Sequence, residues 1–162
     1  MKIALQFKAR LEFLTNLRPE GEDFRWYLKL KCLNCGEETP EFTYLSLLEN
    51  SPLKGGRGHA SLVLKCKLCA RENSIDIVKE SIGTYTADDS DSSKLVKIVT
   101  FDCRGVEPTD FSPRAGWTAE GAESGSKFSD INLLEKEWCD YDEKVNESVG
   151  IYDCEHAFVT VK

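Results

Sequence analysis

The sequence predicts a mainly β protein, sandwich- or barrel-like, built as two similar β modules side by side. Two observations predict it. Runs with period-two alternation of apolar and polar residues recur from one end of the chain to the other, which is the pattern of half-buried strands. Between them lie clusters of Gly, Pro, Ser, Asp and Asn that read as turns, and short strands separated by turns make a sandwich or barrel the default architecture. With 162 residues, 41% of them apolar and 10% aromatic, the chain can bury a substantial core.

Residues 2–14, KIALQFKARLEFL, place Ile3, Leu5, Phe7, Ala9, Leu11 and Phe13 on one face, with Lys2, Gln6, Lys8, Arg10 and Glu12 on the other. This predicts a long half-buried strand. TNLRPEGED then reads as a loop, broken by Pro19 and Gly21. FRWYLKLK (24–31) resumes as a strand, with Phe24, Trp26, Leu28 and Leu30 on one face. EFTYLSLLEN (41–50) reads as a short strand. The glycine-rich loop 54–60 holds Gly55, Gly56 and Gly58 beside Lys54 and Arg57. It lacks the G-x-x-x-x-G-K-[ST] phosphate-binding pattern, so it reads as a connection, with an anion or partner site as the alternative. His59 at its end reads as a surface group rather than a ligand.

SLVLKC (61–66) and NSIDIVK (73–79) predict two further strands, and LVKIVTFDC (95–103) another. The serine-rich acidic stretch 84–94 has no apolar period and reads as an exposed mobile loop. It divides a first module (1–83) from a second (95–162), unless the whole forms one continuous domain. The 27 residues 104–130 are too long for an ordinary connection in a compact domain. Docking of Phe111, Trp117 and Phe128 is expected to order them. INLLEKEWCDYDEKV (131–145) reads as a strand to about Trp138 followed by an acidic loop, and GIYDCEHAFVTVK (150–162) as the closing strand. ARLEFLTNLRPEGEDF (9–24) resembles KIVTFDCRGVEPTDF (97–111), which suggests a duplicated β module.

The strongest chemical signal lies in KCLNCGE and KCKLCAR. Cys32 and Cys35 form one C-x-x-C pair, Cys66 and Cys69 the other, and thirty residues separate the pairs. Zn²⁺ takes four ligands in a tetrahedron and favours thiolate; two C-x-x-C turns supply two edges of it. Gly36 follows Cys35, where a tight turn needs φ > 0. Lys31, Lys65, Lys67 and Arg71 flank the pairs and offset thiolate charge. With every ligand place filled by cysteine, no position remains for water. The site therefore reads as structural, with one zinc per chain. Three other readings stay open: two disulfides, a redox C-x-x-C, and an iron–sulfur cluster. The odd total of seven cysteines and the lack of a secretory signal weigh against the first. The presence of two motifs in strand-like surroundings weighs against the second. Cys103, Cys139 and Cys154 read as small buried apolar residues, or else as a second thiol site.

A net charge of −7 argues against phosphate-driven nucleic-acid binding and against an anionic membrane surface. No run approaches the ~18 apolar residues of a membrane-spanning helix. Cysteine usage without a signal peptide fits a reducing compartment, so a cytoplasmic monomer is expected, with the nucleus open to it.

Several stretches, among them KIALQFKA, NLRPEGEDFRWYLKLKCLNCGE, LKGGRGHAS, KCKLCARENSI, FDCRGVEPTDF, AEGAESGSKFSDINL and DYDEKVNESVGIY, together resemble the eukaryotic CXXC-motif-containing zinc-binding protein family over nearly the full length. The resemblance implies a compact, mostly β protein whose zinc is held by Cys32, Cys35, Cys66 and Cys69, with no established catalytic activity and a general link to metal homeostasis. The function expected is therefore binding, in metal homeostasis or complex assembly, with a protein partner. The alternative is a thiol-dependent oxidoreductase of the methionine sulfoxide reductase type, which also carries two C-x-x-C pairs on a β fold. Cys139 or Cys103 would then be the nucleophile, but EWCDYDE is acidic, which raises a thiol pKa. The Arg-aromatic-Cys-x-Asn motif of those reductases is missing. A nucleic-acid zinc ribbon is the third reading, disfavoured by charge.

Overall fold

A computed structural model describes residues 1–49, 51–53 and 59–162. In chain order its strands are β1 (Lys2–Glu12), β2 (Leu14–Pro19), β3 (Trp26–Cys32), β4 (Thr43–Leu45), β5 (Ser51–Pro52), β6 (His59–Ala60), β7 (Leu62–Lys65) and β8 (Glu72–Val78). A short helix, α1 (Ala87–Asp91), precedes β9 (Val96–Arg104), β10 (Val106–Ser112), β11 (Trp117–Gly121), β12 (Lys127–Ile131), β13 (Trp138–Asp142) and β14 (Glu147–Val161). The protein is mainly β, as expected, and its sheets curl into a half-barrel. One sheet has six strands in the order β13-β14-β1-β9-β8-β7; two have three, β10-β3-β4 and β12-β11-β2; and β5-β6 is a small hairpin.

The alternation in residues 2–12 sets the centre of the large sheet. Ile3, Leu5, Phe7 and Ala9 are buried, and β1 pairs antiparallel with β14 on one side and β9 on the other. Residues on both sides of 84–94 thus contribute to one sheet. In β3 the alternation is strict, with Trp26, Leu28, Leu30 and Cys32 buried. The core lies between the large sheet and the two small ones, around an aromatic cluster. Phe7 stacks on Trp117 at 5.2 Å, Phe24 meets Trp26 at 4.6 Å, and Trp26 meets Phe101 edge-on at 6.1 Å. Such pairs add about 0.5–1.5 kcal/mol beyond area burial.

Several local expectations are corrected. The loop expected after residue 14 begins as β2. Leu14 and Leu17 are fully buried, but Asn16 at φ 54 breaks the period of two, so the alternation does not show. The long irregular stretch 104–130 contains β10, β11 and β12. Its aromatics dock as expected, Phe111 and Trp117 in the core and Phe128 against it. The strand expected through Trp138 is two strands: Ile131 ends β12, the chain turns through Lys136 at φ 63, and Trp138 opens β13. The stretch 84–94 includes a fully buried Tyr85 and α1, whose Thr86 and Asp89 form a reciprocal capping box. The two similar segments follow the same local course, strand, left-handed residue, strand, through Phe13 (φ 55) in one and Gly105 (φ 76) in the other. Residues 54–58 of the glycine-rich loop lie outside the described residues.

Candidate metal centre

Each cysteine pair closes a turn at the end of a strand. β3 delivers Cys32 and β7 leads into Cys66. The backbone repeats itself: Gly36 N–H donates to the Cys32 carbonyl (2.8 Å) and Ala70 N–H to the Cys66 carbonyl (2.9 Å). Cys32 N–H donates to the Glu37 carbonyl (2.8 Å) and Cys66 N–H to the Arg71 carbonyl (2.9 Å). The residue after each second cysteine is left-handed, Gly36 at φ 82 as the sequence suggests, and Ala70 at φ 64.

The structure brings all four cysteines together. Their sulfurs lie within 4.8 Å of one another. Across the pairs, Cys32 Sγ is 3.8 Å from Cys69 Sγ, and Cys35 Sγ is 3.5 Å from Cys66 Sγ. Sulfurs about 2.3 Å from one tetrahedral zinc are separated by about 3.8 Å, so the donor set has the size and chemistry of a site for one metal ion. Disulfides would need about 2.05 Å, and all the cysteines are free.

The protons of these thiols are in competition. With the Asn73 amide nitrogen on its sulfur and the Cys35 backbone N–H donating to it as well, the Cys32 thiol is held down at about 6. Asn34, then the Arg71 N–H, lowers Cys69. For Cys35 the Glu37 N–H also pulls downward, but desolvation and the three neighbouring sulfurs outweigh it and push the thiol up to about 12. Four thiolates this close repel one another, and a bound dication removes that conflict.

Asn34, Asn73 and Gly105 complete the centre, and the sequence reading missed all three. Arg71 Nη1 reaches Asn34 Oδ1 at 3.4 Å and so links the two turns. The Gly105 carbonyl accepts from Leu33 N–H at 3.0 Å. A Cβ on Gly105 would stand 2.4 Å from Asn73 Oδ1. Asn73 is buried between the Cys32 sulfur and the carbonyls of Gly105 and Glu72. With its nitrogen on the sulfur, it suits a metal-bound thiolate. Turned over, the nitrogen donates to the two carbonyls at 3.1 and 3.3 Å and the oxygen meets the sulfur, which suits a free thiol. The only signal in the sequence was an Asn within the first cysteine turn (Asn34), another shortly after the second (Asn73), and a Gly just past the end of a strong strand (Gly105).

The other cysteines do not join this centre. Cys103 (β9) and Cys154 (β14) are buried, as expected, and burial pushes each thiol up to about 12. Cys139, expected to be buried, is exposed, because it sits on the outermost strand of the large sheet. β1 separates β14 from β9. Among the described residues, the four paired cysteines form the one cluster of metal-ligating groups.

Fold and site together define a mainly β protein with a four-cysteine centre for one metal ion. The family model described as CXXC motif containing zinc binding protein, eukaryotic, matches residues 4–159, and the chain belongs to that family. It is 63% identical to the CXXC motif containing zinc binding protein of Homo sapiens and 62% to that of Xenopus laevis, each over 98% of both chains. It is 42% identical to the UPF0587 protein CG4646 of Drosophila melanogaster over 100% of this chain and 99% of that one. The crystal structure of C1orf123 superposes with a TM-score of 0.94 at 61% identity, covering 99% of this chain and 100% of that one. A hypothetical protein from Plasmodium falciparum shares the fold, with a TM-score of 0.87 at 22% identity over 98% of this chain and 99% of the other.

Proposed function

We propose that this protein acts by binding rather than by catalysis, and that Cys32, Cys35, Cys66 and Cys69 hold one structural Zn²⁺. The observation that carries the reading is the set of four sulfurs at tetrahedral spacing on two backbone-matched turns. Four thiolates leave no coordination place for substrate or water. One turn ends β3 in a small sheet and the other joins β7 to β8 at the edge of the large sheet. The ion is therefore a clamp between sheets, and its binding energy is folding energy. The clamped surface serves a protein partner, in complex assembly or metal homeostasis, in a cytoplasmic or nuclear setting that keeps the thiols reduced. The reductase reading finds no support at Cys103, whose burial raises its thiol to about 12; a nucleophile needs a lowered thiol pKa and access.

The test is metal content by native mass spectrometry of protein purified without added metal, with the variant Cys66→Ser beside it. One zinc per chain is expected in the wild type and none held stably in the variant. Melting should fall by on the order of 10 °C or more, since several kcal/mol of metal-coupled stability are lost at about 2–4 °C per kcal/mol. Full zinc and unchanged melting in Cys66→Ser would overturn the four-thiolate site. Mild alkylation of the zinc-loaded wild type should label Cys139, with Cys103 and Cys154 reacting after unfolding.

A further inference from the structure

The sheet β10-β3-β4 turns Trp26, Leu28 and Leu30 into the core. Its other face carries a layer of rings and cations. Tyr27 stands opposite Tyr44 in the β3–β4 register, with ring centroids 5.7 Å apart. Arg114 lies 4.0 Å from the Tyr27 ring and 5.7 Å from Phe42, Arg25 4.3 Å from Tyr44, and Lys29 5.1 Å from Phe42. Cation–π pairs occur about once per 70–80 residues, so a chain of this length has about two, and this face alone exceeds that. The chain has 28 carboxylate residues against 21 Lys and Arg. Yet among the described ion pairs none involves Arg25, Lys29 or Arg114. Their rings orient them, and among the described residues none of the three makes a direct ion pair, although Glu49 is near enough to Arg25 to raise its pKa and Asp110 stands opposite Lys29 in the β10–β3 register.

β4 is the outer strand of this sheet, and β7 is the outer strand of the large one. Between the two edges, beside the metal centre, lies an open groove of about 350 Å³, whose lining is mostly apolar (Leu30, Phe42, Leu64 and Val106) but also includes Glu37, Glu38 and Glu41 on one side and Lys65 and Lys67 on the other. The groove thus reaches Thr43 on the inward side of β4, the ring–cation layer covers Tyr44 on the outward side, and Phe42 borders both. A strand added to an open edge sends alternate side chains to opposite faces. Here one face of an added strand would meet a mostly apolar groove and the other the ring-held cations Arg25, Lys29 and Arg114.

Building on the reading of this protein as a binding protein, we propose that the outer edge of β4 receives an extended segment of a protein partner in which apolar and acidic residues alternate. The apolar side chains enter the groove. The carboxylates lie over Arg25, Lys29 and Arg114. Backbone groups of β4 supply the pairing, and the net charge of −7 makes the local cations, rather than the whole molecule, the source of selectivity.

The probe is an array of ten-residue peptides alternating Asp or Glu with Val, Leu, Ile or Phe, read by fluorescence anisotropy on the zinc-loaded protein. A matching array with Lys for the acids and a poly-dT oligonucleotide run beside it. Acidic members are expected to bind and to weaken as salt rises. Binding should fall at least tenfold in the double variant Arg25→Glu/Arg114→Glu and also in Thr43→Arg, whose side chain fills the groove. Peptide should slow amide exchange at Thr43–Leu45. Zinc content and melting temperature are measured on every sample. Folded, zinc-loaded protein that binds no acidic member, or that prefers the Lys array or the oligonucleotide, overturns this surface and leaves the zinc clamp standing. Acidic-peptide binding by protein that carries no zinc would retain the surface and count against the clamp.

Discussion

Ala70 occupies a conformation that its side chain disfavours. The left-handed region costs an ordinary residue about 1–2 kcal/mol, and the matching place in the first turn is Gly36. Ala70→Gly is therefore expected to stabilise the protein by about 1 kcal/mol, raising the melting temperature by about 2–4 °C with zinc content unchanged; a fall in melting temperature would show that the methyl group packs usefully. His156 offers a test in pH. Burial, between Phe111 at 5.8 Å and Phe158 at 5.7 Å, lowers its pKa despite Asp110 at 3.2 Å. A lowered folded-state pKa means that the unfolded chain takes up the proton first. The stability it contributes is present above the ordinary value of about 6.5 and is lost as pH falls below it. His156→Gln cannot titrate, so its melting temperature should decline less than that of the wild type between pH 7.5 and 5.5. Parallel declines would assign the acid sensitivity to other groups. At this scale the clustering of the four cysteines was legible because spacing alone encodes it. Asn73 and Gly105 were not, because their roles depend on a close approach between residues 32 apart in sequence.

Among the strands, β7 is the one that a bound metal ion would support most. β7 is an edge strand with no fully buried residue, so little apolar burial holds it in place, and the Cys66 turn ties it to the end of β3. Chelation should accordingly speed amide exchange first across Leu62–Arg71, while β1 and β14, paired over most of their length in the middle of the sheet, exchange last. Uniform loss of protection would mean that the ion supports the whole fold as one cooperative unit. β1 and β3 were legible from their alternation, and β9 from a run of apolar residues that buries both faces, with Ile98 and Val99 adjacent. β2 was hidden by a left-handed Asn16, and β10 to β12 by glycine and proline punctuation that marks turns between strands as readily as loops. Phe111 and Trp117 gave the right signal there, since rings of that size seek burial wherever the backbone runs.

For the whole molecule, the sequence by itself determined the mainly β class, the identity of the four thiols and the family, because a period of two, cysteine spacing and shared motifs are local properties. Only the tertiary structure decided that residues before and after 84–94 share one sheet, that Cys103, Cys139 and Cys154 stay apart, and that two sheet edges leave a groove beside a face of ring-held cations. Those are matters of which strand lies beside which. Strand pairing is fixed by long-range burial around the Phe7, Trp26 and Trp117 cluster, and the alternation within one strand carries no record of its neighbours.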